Sequence, residues 1–235
     1  ETDSILDIRD QQIYKVVKIG PQWWMQENLN IGTRINGIKN ASDNGISEKY
    51  CYGDIASNCN IYGGLYQWNE MMDYHPSDNG NPGNIRGLCP VEWHLPTDEE
   101  WKELEMYVGM NQLEADKTDT WRGSNEGGKL KEFGTNHWKS PNTGTTNESG
   151  FTALPGSCRY VAFDYLGNYA DFWSSTEVGS ENAWYRGLSY TSSGVYRNPA
   201  TKVYGFSVRC LRDSSEFSYL TISDLNFKPV SDLTF

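Results

Sequence analysis

The sequence predicts an α+β domain of short helices, twisted antiparallel strands and long loops, and three observations lead there. Aromatic residues make up 14% of the 235 residues and glycines number 23, so large rings supply the core while the chain turns often. Mean hydropathy is only -0.68, and no apolar run approaches the about 18 residues of a membrane span. Helical periodicity is confined to short stretches, whereas the final third reads as a meander of strands.

Taken in order, Ile13-Tyr14-Lys15-Val16-Val17-Lys18-Ile19 is rich in β-branched residues and partly alternates, which predicts a strand. Gly20-Pro21 turns it into a second strand over Gln22-Trp23-Trp24-Met25. Asn28 to Gly45 is loop, punctuated by Asn30, Asn36, Gly37, Asn40, Asp43 and Asn44. Leu65, Trp68, Met71 and Met72 form an apolar stripe that predicts a short helix over about 64–72. The segment from Pro76 to Asn84 is a turn rich in Asp and Asn. It lacks the spacing and final Glu of an EF-hand, so a structural calcium ion is the one metal it leaves open.

The stretch Cys89 to Trp101 organises the chain. Thr97 and Glu100 stand three apart before the periodic Trp101, Leu104 and Val108, the arrangement of a capping box. A helix is therefore expected from Thr97, ending at Gly109. Residues 127–133 predict a further short helix, and Trp138 to Gly150 a polar loop. Strands are expected at 151–154, 157–163, 172–176, 183–190, 194–198 and 204–211, with Thr191-Ser192-Ser193-Gly194 as a hairpin loop. The main domain spans 1–213. Residues 214–235 form a tail or extra strands, with the near-repeat Ser223-Asp224-Leu225-Asn226-Phe227 and Ser231-Asp232-Leu233-Thr234-Phe235.

A net charge of -11 and a pI near 4.7 argue against nucleic acid, whose phosphates need a basic footprint. The first residues lack the basic and apolar regions of a signal peptide, which decides little because such a segment is removable. Five cysteines leave one odd residue. One reading pairs Cys51 with Cys59 in a small loop and Cys89 with Cys210 between the capped helix and the last strand, as in an exported protein. The other is a reduced chain with inert thiols. Cys158 reads as a buried small hydrophobe, and without a Cys-x-x-Cys neither a zinc knuckle nor a thioredoxin-type site is supported.

Several motifs also occur in a fixed order. They are Val17-Lys18-Ile19-Gly20 with Trp24-Met25 and Glu27-Asn28-Leu29-Asn30; Tyr62-Gly63-Gly64-Leu65-Tyr66-Gln67-Trp68; Cys89-Pro90 with Trp93-His94-Leu95-Pro96-Thr97 and Glu100-Trp101; Gly150 to Gly156; Phe172-Trp173-Ser174-Ser175-Thr176-Glu177; and Gly205 to Cys210. Together, from about Tyr14 to Asp213, they resemble the Fibrobacter succinogenes major paralogous domain. The resemblance implies an exported or surface-attached bacterial protein with a C-type-lectin-like fold, related to the formylglycine-generating enzymes.

A formylglycine-generating-type oxidase would need a close cysteine pair in the C-terminal half, where only Cys158 and Cys210 stand, far apart. His75, His94 and His137 are scattered, and no Gly-x-Ser-x-Gly elbow is present. Binding fits such a scaffold better, because loops on a rigid base carry recognition. The richest surface is Tyr160, Asp164, Tyr165, Asn168, Tyr169, Trp184, Tyr185, Arg186, Tyr190, Tyr196, Arg197 and Asn198: aromatic faces for stacking, with Arg, Asn and Asp for directional hydrogen bonds. For each aromatic, packing inside the core is the competing reading. The expectation is a non-catalytic secreted or cell-surface recognition or adhesion module for a glycan or a protein, without a cofactor and without a transmembrane segment in this chain. An oxidase or a purely structural surface domain are the alternatives.

Overall fold

The structure is a computed structural model and describes residues 1–160 and 162–213, so the near-repeat of the tail lies outside the described residues. The chain opens with β1 (Thr2–Asp7), β2 (Gln12–Ile19) and β3 (Gln22–Met25), an antiparallel meander in which Ile19 pairs with Gln22 across the Gly20-Pro21 turn. β4 (Thr33–Arg34) and β5 (Glu48–Lys49) make a small parallel pair in the loop that follows. A single 3-10 turn (Tyr52–Asp54) and α1 (Ala56–Tyr62) then lie around the Cys51–Cys59 disulfide. α2 (Trp68–Met71) is shorter than its apolar stripe predicts, because Leu65 and Tyr66 are drawn into bridges with Tyr50 and Phe206.

β6 (Trp93–His94) leads into α3 (Asp98–Tyr107), whose start follows the expected capping box. The Thr97 hydroxyl accepts from Glu100 N–H at 3.3 Å, and the Glu100 carboxylate accepts from Thr97 N–H at 2.9 Å. Trp101 points inward, with ring centroids 4.7 Å from Trp24, 5.8 Å from Phe151 and 5.7 Å from Phe172. α4 (Gln112–Ala115), β7 (Thr120–Arg122) and α5 (Glu126–Leu130) follow. In α5, backbone carbonyls of Gly194 and Gly144 pass 2.0 Å from where side chains of Gly127 and Gly128 would start, so only glycine fits at either position.

The C-terminal third contains the hairpin of β8 (Cys158–Arg159) and β9 (Phe163–Asp164), then β10 (Tyr169–Val178), β11 (Asn182–Ser189), β12 (Val195–Thr201) and β13 (Leu211–Arg212). Two larger sheets result, ordered β1-β2-β3-β13-β6 and β10-β11-β12-β7. This is an α+β fold with five short α-helices among the described residues, where the sequence predicts three. The expected strands at 151–154 and 204–211 are reduced to isolated bridges at 153 and 205–207 ahead of β13, while of 157–163 residues 158–159 and 163 are strand and 157 is a bridge. Their carbonyls are met one at a time by backbone N–H groups of scattered partners, Phe206 O by Tyr66, Val208 O by Leu29 and Cys210 O by Met25, or by a buried guanidinium. Arg209 donates to Met25 O and Phe151 O at 2.8 Å each and to Thr152 O at 3.2 Å, while Arg159 donates to Gly37 O at 2.8 Å. Both faces of these segments are buried, so alternation carries no signal there.

α3 is fastened to the second sheet by charge. Asp98 receives Arg186 Nη1 at 2.7 Å and Arg197 Nη2 at 2.5 Å, and Glu105 receives Arg186 Nε at 2.5 Å and Arg122 Nη2 at 2.7 Å, all buried. Burial opposes ionisation of Asp98, yet Arg186 and Arg197 outweigh it and hold its carboxyl below the ordinary range. The Cys89–Cys210 disulfide ties the approach to α3 to the last strand of the first sheet.

Two outcomes are expected. Arg186→Met leaves carboxylates under-paired in the interior and lowers unfolding free energy by about 3–5 kcal/mol in urea titrations; a loss under about 1 kcal/mol would show the network to be dispensable. Opening Cys89–Cys210, which closes a 121-residue separation, costs about 5 kcal/mol in the chain-entropy account, against about 2–3 for the eight-residue separation of Cys51–Cys59. Paired Cys→Ala variants compared by chemical denaturation check this order.

Candidate functional site

Because α3 and its arginine partners occupy one face of the β10-β11-β12-β7 sheet, the register assigns the opposite face to the alternate residues. Arg186 pairs with Arg197 and with Phe172, whereas Tyr185 pairs with Trp173 and Asn198, Gly187 with Asp171 and Tyr196, and Tyr196 with Trp121. The second set faces away from α3. It forms a connected row of rings: Trp121 to Tyr196 at 5.3 Å between centroids, Tyr196 to Tyr185 at 6.2 Å, Tyr185 to Phe206 at 5.0 Å and Phe206 to Tyr204 at 6.2 Å. Tyr160, from the β8–β9 hairpin, packs edge-on against Tyr204 at 4.5 Å.

Tyr160, Tyr185 and Tyr204 are half-buried against the core and Trp121 is 41% exposed, so the row runs from the interior to solvent. At its open end Tyr196 donates its hydroxyl to Asp119 at 2.9 Å, and the Asn198 amide lies beside both. Tyr165 and Tyr169 form a second edge-to-face pair at 5.8 Å beside β10, and Tyr165 is 56% exposed. Asp164 is exposed on β9.

Of the residues expected to bind, the structure therefore gathers Tyr160, Tyr185, Tyr196 and Asn198 and places Tyr165, Tyr169 and Asp164 in the adjoining hairpin and strand. Trp184, Arg186 and Arg197 do not reach this face. Arg186 and Arg197 are spent on Asp98 and Glu105, and Trp184 lies under the Arg197 guanidinium at 3.8 Å. Tyr190 packs into the core beneath α3, and its N–H donates to Asn168 O at 2.9 Å, which places these two away from the row. Trp121, Asp119, Tyr204 and Asp171 are members that sequence reasoning passed over. β7 is three residues long, too short to show a period, and nothing local to it reveals that it joins β12.

Beneath the row lies a group without a protein partner. Asp171 on β10 is 7% exposed, and its carboxylate accepts no hydrogen bond among the described residues. Burial raises its pKa to about 7. The groups facing it are the Cys158 thiol, pushed up to about 12 by burial and by Asp171, and the phenols of Tyr160 and Tyr185, raised by the same two causes. Cys158 is a free, buried thiol, and Cys210 is committed to Cys89.

Metal chemistry finds little to work with elsewhere: among the described residues no group of three or more His, Cys, Asp and Glu side chains is arranged to hold an ion. The Asp78 carboxylate in the 76–84 turn caps the backbone, accepting from Gly80 N–H at 2.8 Å and Asn84 N–H at 2.6 Å. His94 bridges Glu100 at 2.9 Å and Asp213 at 2.7 Å. Burial opposes its charging, but the two carboxylates prevail and raise its pKa. No helix among the described residues is long and apolar enough to cross a membrane.

Fold and site together define a disulfide-bonded α+β domain with an aromatic sheet face turned away from its helix. The chain belongs to the Fibrobacter succinogenes major domain family, whose model matches residues 17–212. No curated protein and no solved structure matches it.

Asp171 gives a pH test with a definite sign. The folded acid keeps its proton to about pH 7 while an ordinary aspartate loses it near 3.8, so the native state binds the extra proton between these values and stability falls as pH rises through them. Cys158, Tyr160 and Tyr185 stay neutral across that window. Asp171→Asn is expected to raise Tm by roughly 3–8 °C near pH 8 and to change little near pH 4. An equal shift at both pH values would refute the assignment.

Proposed function

We propose that this domain is a non-catalytic recognition module, working outside the cell or on its surface, that binds a glycan across the aromatic face of the second sheet. One observation carries the reading: Trp121, Tyr196 and Tyr185 follow one another across β7, β12 and β11 on the face opposite α3, with Asp119 and Asn198 at the open end. Flat rings offer apolar area to the faces of sugar rings, and a few fixed polar groups beside them take hydroxyl hydrogen bonds. The strong negative charge favours a neutral or cationic ligand over a polyanion.

Two disulfides support an oxidising compartment, as the expected export requires. A C-type-lectin-like relationship is the finer form of the fold proposal. Its support is that the first and last described strands, β1 and β13, share one sheet, with long loops between short helices.

Screening on a glycan array, followed by titration of the best binder, tests the function. Trp121→Ala and Tyr196→Ala are each expected to weaken binding by at least about tenfold while leaving the fold intact. Glycan binding that survives both substitutions, or an array without any binder, would overturn the reading; capture of a protein through the same residues would transfer the face to a protein partner.

A further inference from the structure

Asp171 stands apart from the other buried carboxylates. Asp98 and Glu105 have arginines, Asp7 has Arg9, and Glu70, Asp78, Glu100 and Glu126 accept backbone N–H groups. Asp171 alone among these, in the described residues, is 93% buried without a donor. An acid in that position costs the fold free energy and returns none to it.

The ground around it is shaped to admit something. Gly187 pairs with Asp171 across β10 and β11, and a side chain there would start 3.2 Å from the carboxylate, 3.4 Å from Tyr196 Cβ and 3.5 Å from the Tyr185 ring. The missing side chain therefore leaves a dent in the sheet face, with the Asp171 carboxylate at one side and two tyrosines bounding it. Gly187 has no positive φ, so conformation does not demand glycine here, and a Cβ would press closely on the Asp171 carboxylate alone. The lining is the Asp171 carboxylate, the edge of the Tyr185 ring and Tyr196 Cβ, so the carboxylate is the one charged group there and a cation is what answers it. Donors that are neutral would satisfy the hydrogen bond but leave the charge uncompensated. A primary ammonium supplies both in one compact group.

We propose that the glycan taken by this face carries a free amine, and that the ammonium of an unacetylated amino sugar enters over Gly187, between Tyr185 and Tyr196, to pair with Asp171. This rests on the aromatic face being a sugar-binding surface. It adds the substituent that the face selects: the sugar ring stacks on the row while the amine is read by the buried acid. An N-acetyl group brings no charge and more bulk to the dent, and a hydroxyl brings no charge, so both are disfavoured. In the free protein burial keeps the acid partly protonated near neutrality, and the arriving ammonium displaces that proton.

The test is calorimetric titration of the intact chain near neutral pH with matched oligosaccharides of glucosamine, N-acetylglucosamine and glucose, and with a short lysine peptide. The glucosamine oligomer is expected to bind at least about tenfold more tightly than the other two sugars. Asp171→Asn should erase that gap while retaining binding of the neutral oligomers, and Gly187→Ala should narrow it by filling the dent. Asp164→Asn, which removes one exposed charge nearby, controls for general attraction of a cation to an acidic protein, and its effect must be smaller. Equal binding of all three sugars, indifferent to Asp171→Asn, would overturn the amine selection and leave the glycan reading standing. Binding of the lysine peptide with the same Asp171 dependence, in place of the glucosamine oligomer, would overturn the amino-sugar class. Failure of every saccharide to bind would overturn both.

Discussion

The buried charge network between α3 and the second sheet is the constraint on which the rest depends. Two carboxylates on one helix, Asp98 and Glu105, meet three arginines on β7, β11 and β12. Hydrophobic contact alone slides, whereas bidentate pairs in a dry interior fix helix and sheet to one register. Once Arg122, Arg186 and Arg197 must face α3, their neighbours Trp121, Tyr185 and Tyr196 must face the other way. The aromatic surface is in this sense the reverse side of an electrostatic lock.

This explains what was legible in the sequence and what was not. Local chemistry could be read directly: the Thr97–Glu100 capping box, the Gly20-Pro21 hairpin and the three strands between 172 and 198 are all written within a few residues, and the structure follows them. Nonlocal partners were hidden. Arg186 and Arg197 look like exposed binding residues in any window of the sequence, and only the approach of a helix some 88 and 99 positions earlier turns them inward. The segments 151–154 and 204–210 likewise take their backbone partners one at a time from distant elements, with Arg209 adding bonds to Phe151 O and Thr152 O, so chain that reads as strand is held as irregular structure. Trp121 escaped notice because a three-residue strand has no period.

The two kinds of buried acid in this domain differ in what holds them. Asp98 and Glu105 are fully engaged and stabilise the fold. Asp171 is engaged by nothing among the described residues and destabilises it near neutral pH. In the proposed amine recognition, stability and binding pull on this one residue in opposite directions. The Gly187 dent shows the same opposition, since even a methyl group there would crowd the acid.

The position of β13 has a consequence for how the molecule is made. It lies between β3 and β6 in the first sheet, so the last strand described fills the middle of a sheet begun at residue 2. Its Leu211–Trp24 pairing joins positions 187 apart (211 minus 24), and pairings of such separation form slowly. Until that pairing forms the first sheet stays open, and the Cys89–Cys210 bond, one residue before β13, closes the same gap.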